Sequence, residues 1–152
     1  YAKPLTLSRR SLDIDELIAD VIGGMGQDSA PIVFRSDPCP AVSADPDRIR
    51  QVLINLLRNA QQASPTGASV QVRCQPSNGH RVEVEIQNGG EPIPEQTLAR
   101  IFEPFFTSKP GGTGLGLPIV QRIVDAHGGQ ITREKKTQNG TRALLTLPVI
   151  SA

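Results

Sequence analysis

Apolar residues recur early in the chain at intervals of three and four. Ile14, Leu17, Ile18, Val21 and Met25 fall on one helical face, and Asp13 with Glu16 has the spacing of a capping box. Residues 5–12 read as a short extended piece. "PIVFRS" reads as a strand, with a loop rich in Pro and Asp running on through Cys39 to Asp45. The strongest helical signal is "DPDRIRQVLINLLRNAQQAS". Asp45 is its N-cap, Pro46 its first helical residue, and Ile49, Val52, Leu53, Leu56, Ala60 and Ala63 its core stripe. The period then changes to two. Val70, Val72 and Cys74 alternate on one strand, and Val82, Val84 and Ile86 on the next, joined by "PSNG" as a hairpin. "EPIPEQTLARIFEPFFTSKPGG" reads as a short helix, an aromatic turn and a loop. A last helix is predicted over residues 115–127, stopped by Gly128 and Gly129, before a closing hairpin that turns at Asn139–Gly140.

Helices interrupted by antiparallel hairpins predict an α/β two-layer sandwich. Its sheet is mixed and mostly antiparallel, with about five strands and about three helices on one face. The alternation predicts one covered sheet face and one wet face.

Composition narrows the function classes. A chain of 152 residues suits one domain over 1–152 with a real core. The net charge of +1 gives no basic surface for nucleic acid, and 3% aromatic residues leave few platforms for base stacking. No apolar run is long enough to cross a bilayer, so direct membrane contact by this domain is not expected. Cys39 and Cys74 lack metal-ligand spacing and read as reduced thiols in a cytoplasmic setting. The opening "YAKPLTLSRR" reads as a cut within a longer protein.

The candidate chemistry is polar and glycine-rich. Asn55 and Asn59 are four apart and share a helix face beside the core stripe, with Arg48 and Gln62 in the same sector. Such a strip lines a cleft wall or is simply a solvated edge. In "IQNGGEPIP" a strand ends at Asn88 before a Gly- and Pro-rich turn; a rigid pocket floor and an ordinary turn both explain it. "RIFEPFFTSK" holds three of the four phenylalanines in the chain, as a hydrophobic anchor ahead of Lys109. "GGTGLGL" lacks the preceding strand of a dinucleotide fingerprint and the Lys–Ser or Lys–Thr pair of a Walker A loop. It reads as a flexible loop feeding a helix N-terminus, where backbone N–H groups gather an anion.

In this order and spacing, these motifs resemble the ATP-binding catalytic domain of bacterial sensor histidine kinases, in the GHKL superfamily with its Bergerat-type fold. "QVLINLLRNAQQA" matches the N box, "NGGEPIP" the first glycine box, "IFEPFFTSK" the F box and "GGTGLGLPIV" the second glycine box. The resemblance implies a two-layer α/β sandwich, the cofactors ATP and Mg²⁺, and a role for each motif. Asn59 would ligate Mg²⁺ through its amide oxygen, and Asn55 would help hold the metal or its waters. Both would be catalytic. The amides around Gly114, Leu115, Gly116 and Leu117 would cradle the phosphates, and Gly111 and Gly112 would hinge a lid. Lys109 and Arg58 would neutralise phosphate charge. Asn88 would read adenine, and Gln62, Gly90, Ile93, Phe102 and Thr113 would complete the nucleotide site.

The same resemblance implies partners. The γ-phosphoryl group would pass to a histidine on a dimerising helical domain expected before residue 1, and from there to an aspartate of a response regulator receiver domain. His80 lies in a predicted turn and His127 at a helix end, so neither has the helical setting of that phosphoacceptor. The domain alone is therefore expected to be monomeric and not to phosphorylate itself. The full-length protein would be cytoplasmic or membrane-anchored. Related ATPases carry a water-activating glutamate where Asn55 stands, and an amide cannot take up a proton. The resemblance usually has Asp at the position of Asn88. An amide can present its oxygen or its NH₂, so weaker discrimination against GTP is expected.

Overall fold

The computed structural model describes residues 5–25, 30–64, 67–89, 116–135 and 140–150. Seven strands and three helices occur among them. They are β1 (Arg10–Leu12), α1 (Ile14–Gly23), β2 (Ile32–Ser36), β3 (Val42–Ala44), α2 (Pro46–Ala63), β4 (Val70–Ser77), β5 (Arg81–Asn88), α3 (Gly116–Ala126), β6 (Gln130–Lys135) and β7 (Thr141–Pro148).

The main sheet has the order β2-β4-β5-β7-β6. Only β2 and β4 pair in parallel; the other pairs are antiparallel. Parallel neighbours require a long crossover, and α2 lies within it. The β4–β5 and β6–β7 pairs are the two expected hairpins. In the first, pairing continues through Pro76 and Ser77, so the turn is shorter than "PSNG" suggested. Asn78 and Gly79 carry it with φ of 46° and 77°.

All three helices bury one stripe against the sheet. The α2 stripe is Ile49, Val52, Leu53, Leu56, Leu57 and Ala60, facing Val72, Cys74, Val84 and Ile86 of the inward strand rows. Leu57 replaces the expected Ala63, which is exposed. The last turn of α2 projects past the core, so its small residue meets water. Asp45 caps α2 as expected, accepting the amides of Asp47 at 3.1 Å and Arg48 at 3.3 Å. That cap contributes about 1 kcal/mol.

Three local expectations fail. Asp13 precedes α1, but its side chain makes no capping bond. The Glu16 amide, its expected partner, donates to the nearer Asp15 carboxylate at 3.0 Å. Met25 lies beyond the helix, which ends at Gly23, although it still packs on the core. The loop before Asp45 contains β3, which pairs with β1 in a separate two-stranded sheet. Three residues pairing with a distant strand leave no local period to read.

Candidate functional site

The flanks of α2 are decided by their neighbours. Arg50 pairs with Asp20 of α1 at 2.7 Å, and Gln61 on the same flank donates to the Ala30 carbonyl at 2.9 Å. At about 100° per residue, Asn55 and Asn59 fall on the opposite flank, which is turned toward α3. Arg48 and Gln62 share that flank, with Gln62 exposed. Arg58 is exposed on the outward face, further round the helix.

The run of α3 sets what meets those asparagines. Its C-terminal end is tied to the start of α2, because the Asp45 amide donates to His127 Nε2 at 3.0 Å. The two helices are packed together, and a tie between the start of one and the end of the other runs them in opposite directions. At about 1.5 Å per residue, Gly116 lies ~16 Å up the α3 axis from His127. The same distance along α2 from Asp45 reaches Leu56, between Asn55 and Asn59. The first turn of α3, Gly116 and the half-buried Leu117, thus starts level with the two asparagines.

The sheet supplies the floor. Val82, Val84, Ile86 and Asn88 form the inward row of β5, an apolar series ending in one polar residue. Asn88 is 5% exposed and pairs across the ladder with Thr141, which is 2% exposed. Asn88 Nδ2 donates to the Gly89 carbonyl at 2.8 Å, which leaves Oδ1 as the acceptor. Gly140 has φ of 134°, and a Cβ there would stand 2.3 Å from the Asn88 backbone oxygen. Only glycine satisfies both conditions. The Gln71–Gln87 pair places this end of β5 beside the start of β4, just after the C-terminal end of α2. Asn55, Asn59, Asn88 and the N-terminus of α3 therefore gather at one end of the sandwich. An amide-lined helix edge beside a helix N-terminus suits an anion with a hard cation.

Gly90, Ile93, Phe102, Lys109, Gly112, Thr113, Gly114 and Leu115 lie outside the described residues, as does Gly111. Thr141 was not singled out from sequence, and Gly140 reads there only as a hairpin turn. Their signal was a polar residue opening the inward row Thr141, Ala143, Leu145 and Leu147, in register with Asn88.

The opposite end is a closed polar joint. His127 is 1% exposed. Its Nδ1 lies 2.8 Å from the Ile123 carbonyl and its Nε2 accepts the Asp45 amide, so the ring is neutral with the proton on Nδ1. Burial lowers its pKa, outweighing the bond to Ile123. The Asp45 carboxylate also accepts the Ser8 amide at 2.9 Å. That bond, followed by the bonds from Arg48 and Asp47, lowers its pKa against the opposing effect of burial. Arg9 donates to the Ala126 carbonyl at 3.0 Å and the Ser43 carbonyl at 3.1 Å, capping the C-terminus of α3. Gly128, with φ of 71°, then turns the chain into β6.

The model of the "Histidine kinase-, DNA gyrase B-, and HSP90-like ATPase" family matches residues 44–151. The chain is 36% identical to the sensor histidine kinase ZraS of Klebsiella oxytoca over 152 residues, covering 97% of this chain and 33% of ZraS. It spans about a third of the length of that relative. Among solved structures, full-length ShkA in complex with AMPPNP aligns with a TM-score of 0.87 and 29% identity, over 99% of this chain and 33% of ShkA. The catalytic domain of the histidine kinase ThkA aligns with a TM-score of 0.85 and 35% identity, over 93% of this chain and 96% of that domain. ThkA has also been solved in complex with the response regulator TrrA.

Proposed function

The chain belongs to the histidine kinase-, DNA gyrase B-, and HSP90-like ATPase family, and from that premise we propose that it is the kinase half of a two-component sensor. It binds Mg·ATP and donates the γ-phosphoryl group to a histidine on a separate helical domain, which passes it to a response regulator aspartate. What supports this reading is that helix rise sets Asn55 and Asn59 level with the start of α3, toward the end of the sandwich where Asn88 closes β5.

Magnesium fits the donors at hand. Asparagine amide oxygens are hard and neutral, and Mg²⁺ is usually held by one or two protein oxygens together with substrate phosphates. Asn59 would ligate it and Asn55 would hold it or its waters. Bound there, the ion would neutralise phosphate charge during transfer.

The protein's own task is positioning. N–H groups at the start of α3, with Gly114 and Leu115 before it, cradle the phosphates, and Lys109 and Arg58 offset their charge. Asn88 accepts from the adenine amino group through Oδ1. His80 is exposed in a hairpin turn, and both ring nitrogens of His127 are engaged in the buried joint. Neither is presented as a phosphoacceptor, which supports delivery of the histidine by another domain. Asn55 cannot take a proton from water, which favours transfer over hydrolysis.

The test is calorimetric titration with a non-hydrolysable ATP analogue, with and without Mg²⁺. Incubation with radiolabelled ATP then follows, with and without the phosphoacceptor domain. Expected are magnesium-dependent binding and label on the added domain only. No binding at millimolar analogue, or stable label on this chain alone, overturns the proposal.

A further inference from the structure

Far from the candidate site, the fold brings the two cysteines into contact. Cys74 is fully buried in the inward row of β4, and Cys39 is half-buried between β2 and β3. Their Sγ atoms are 3.4 Å apart. The approach is held by the sheet. Ser36 is in register with Cys74 on the parallel strand, and the Asp37 amide donates to the Cys74 carbonyl at 2.9 Å. Asp37 also pairs with Arg73 at 3.2 Å, and the Cys39 thiol donates to the Asp37 carbonyl at 3.2 Å. A disulfide needs the sulfurs to close by only ~1.4 Å.

We infer that Cys39 and Cys74 are a redox-active dithiol site, whose substrate is a low-molecular-weight disulfide and whose product is an intrachain cross-link. A zinc ion would need further ligands, and no third His, Cys, Asp or Glu joins the pair among the described residues. The two thiols have different tasks. Burial pushes the Cys74 thiol up, so it stays protonated and shielded, while Cys39 meets the oxidant. The Cys39 thiolate attacks one sulfur of the oxidant, forming a mixed disulfide and expelling one thiolate. Cys74 gives up its proton to that thiolate and attacks Cys39 Sγ, expelling the second thiolate. Two protein thiols become one disulfide, and the oxidant is reduced to two small thiols.

The cross-link closes a loop that contains β3 and all of α2, so it restricts the unfolded chain where the N-cap helix begins. Cys74 is opposite Val84, ~13 Å along β5 from Asn88. The oxidised protein is therefore more stable, with unchanged nucleotide affinity.

The experiment treats the wild-type chain and the Cys39→Ser and Cys74→Ser variants with oxidised glutathione, followed by alkylation, intact mass and thermal melting. Expected for wild type is loss of both free thiols without adduct, a monomer, and a melting temperature raised by about 10 °C and restored by dithiothreitol. Cys74→Ser takes one glutathione on Cys39. Cys39→Ser, a change at a half-exposed position, stays unmodified and folded. A wild-type chain that keeps both thiols, stops with glutathione on Cys39, or links to a second copy overturns the inference.

Discussion

The two ends of α2 are built on opposite principles. At its N-terminus, Asp45, His127 and Arg9 spend their hydrogen bonds on the chain itself, and Asp45 and His127 are almost wholly buried. Near its C-terminal half, Asn55 and Asn59 are half-buried and Gln62 is exposed, on a flank that meets the start of another helix. One helix thus serves as anchor and, in the proposed function, as site wall. A buried polar joint fixes two helices because breaking it leaves donors without water. At the other end Asn55 and Asn59 stand half-buried at the edge of the helix, where the nucleotide would meet them in the proposed function. In the proposed function, the end that does no chemistry is the one that fixes α2 against α3.

If the two ends are separable, damage at one should leave the other intact. The largest effect is expected from Asn59→Ala. It should reduce phosphoryl transfer to the helical domain by ~100-fold or more, since transfer depends on positioned charge. Its melting temperature should stay within a few degrees of wild type. Unfolding of the variant would show that Asn59 belongs to the fold instead.

His127→Ala should show the reverse. It leaves the Asp45 amide unpaired beside a cavity, while the Ile123 carbonyl keeps the backbone amide of residue 127, a loss of ~2–4 kcal/mol in stability by denaturant titration. The folded fraction should bind the ATP analogue with unchanged affinity. Weakened affinity would mean that the joint sets the height of α3 against Asn55 and Asn59.

Acid should reach the joint before the site. The His127 pKa is lowered in the fold, so the unfolded chain binds more protons once the pH falls below about 6.5. Stability should therefore decline from there down to the lowered value. A second decline should begin near the ordinary carboxylate range, because the lowered pKa of Asp45 is lost as pH falls through it. Chemical denaturation at a series of pH values checks both, and His127→Ala should abolish the first. A slope unchanged in the variant would assign it to other groups.

The smallest effect concerns Asn88. Because Nδ2 is engaged by the Gly89 carbonyl, Oδ1 already acts as Asp would. Asn88→Asp should shift the ratio of ATP to GTP affinity by less than about threefold. A tenfold gain for ATP would restore the looser selection expected from an amide free to turn. Competition titration with the two nucleotides separates these outcomes.

Much of the fold and part of the geometry of the candidate site were legible in sequence. The α2 stripe and its Asp45–Pro46 start follow from a 3.6-residue period and one cap, both local. The hairpins follow from a period of two and from turns that need positive φ. Asn55 and Asn59 share a face by spacing alone, and Asn88 announces itself as the polar end of an apolar row. The capping box at Asp13 failed because a neighbouring carboxylate competed for the same amide, which spacing cannot reveal.

What the sequence by itself determined is therefore local: which residues turn inward, where helices begin, and where the chain must reverse. Those choices depend on backbone geometry within a few residues. What only the tertiary structure decided is pairing over distance. Asp45 meets His127 across 82 positions, Cys39 meets Cys74 across 35, and β3 turns back to β1. No period encodes such meetings. They arise when the helix stripes and strand rows are buried together, and the lowest-energy packing selects which distant polar groups must satisfy one another.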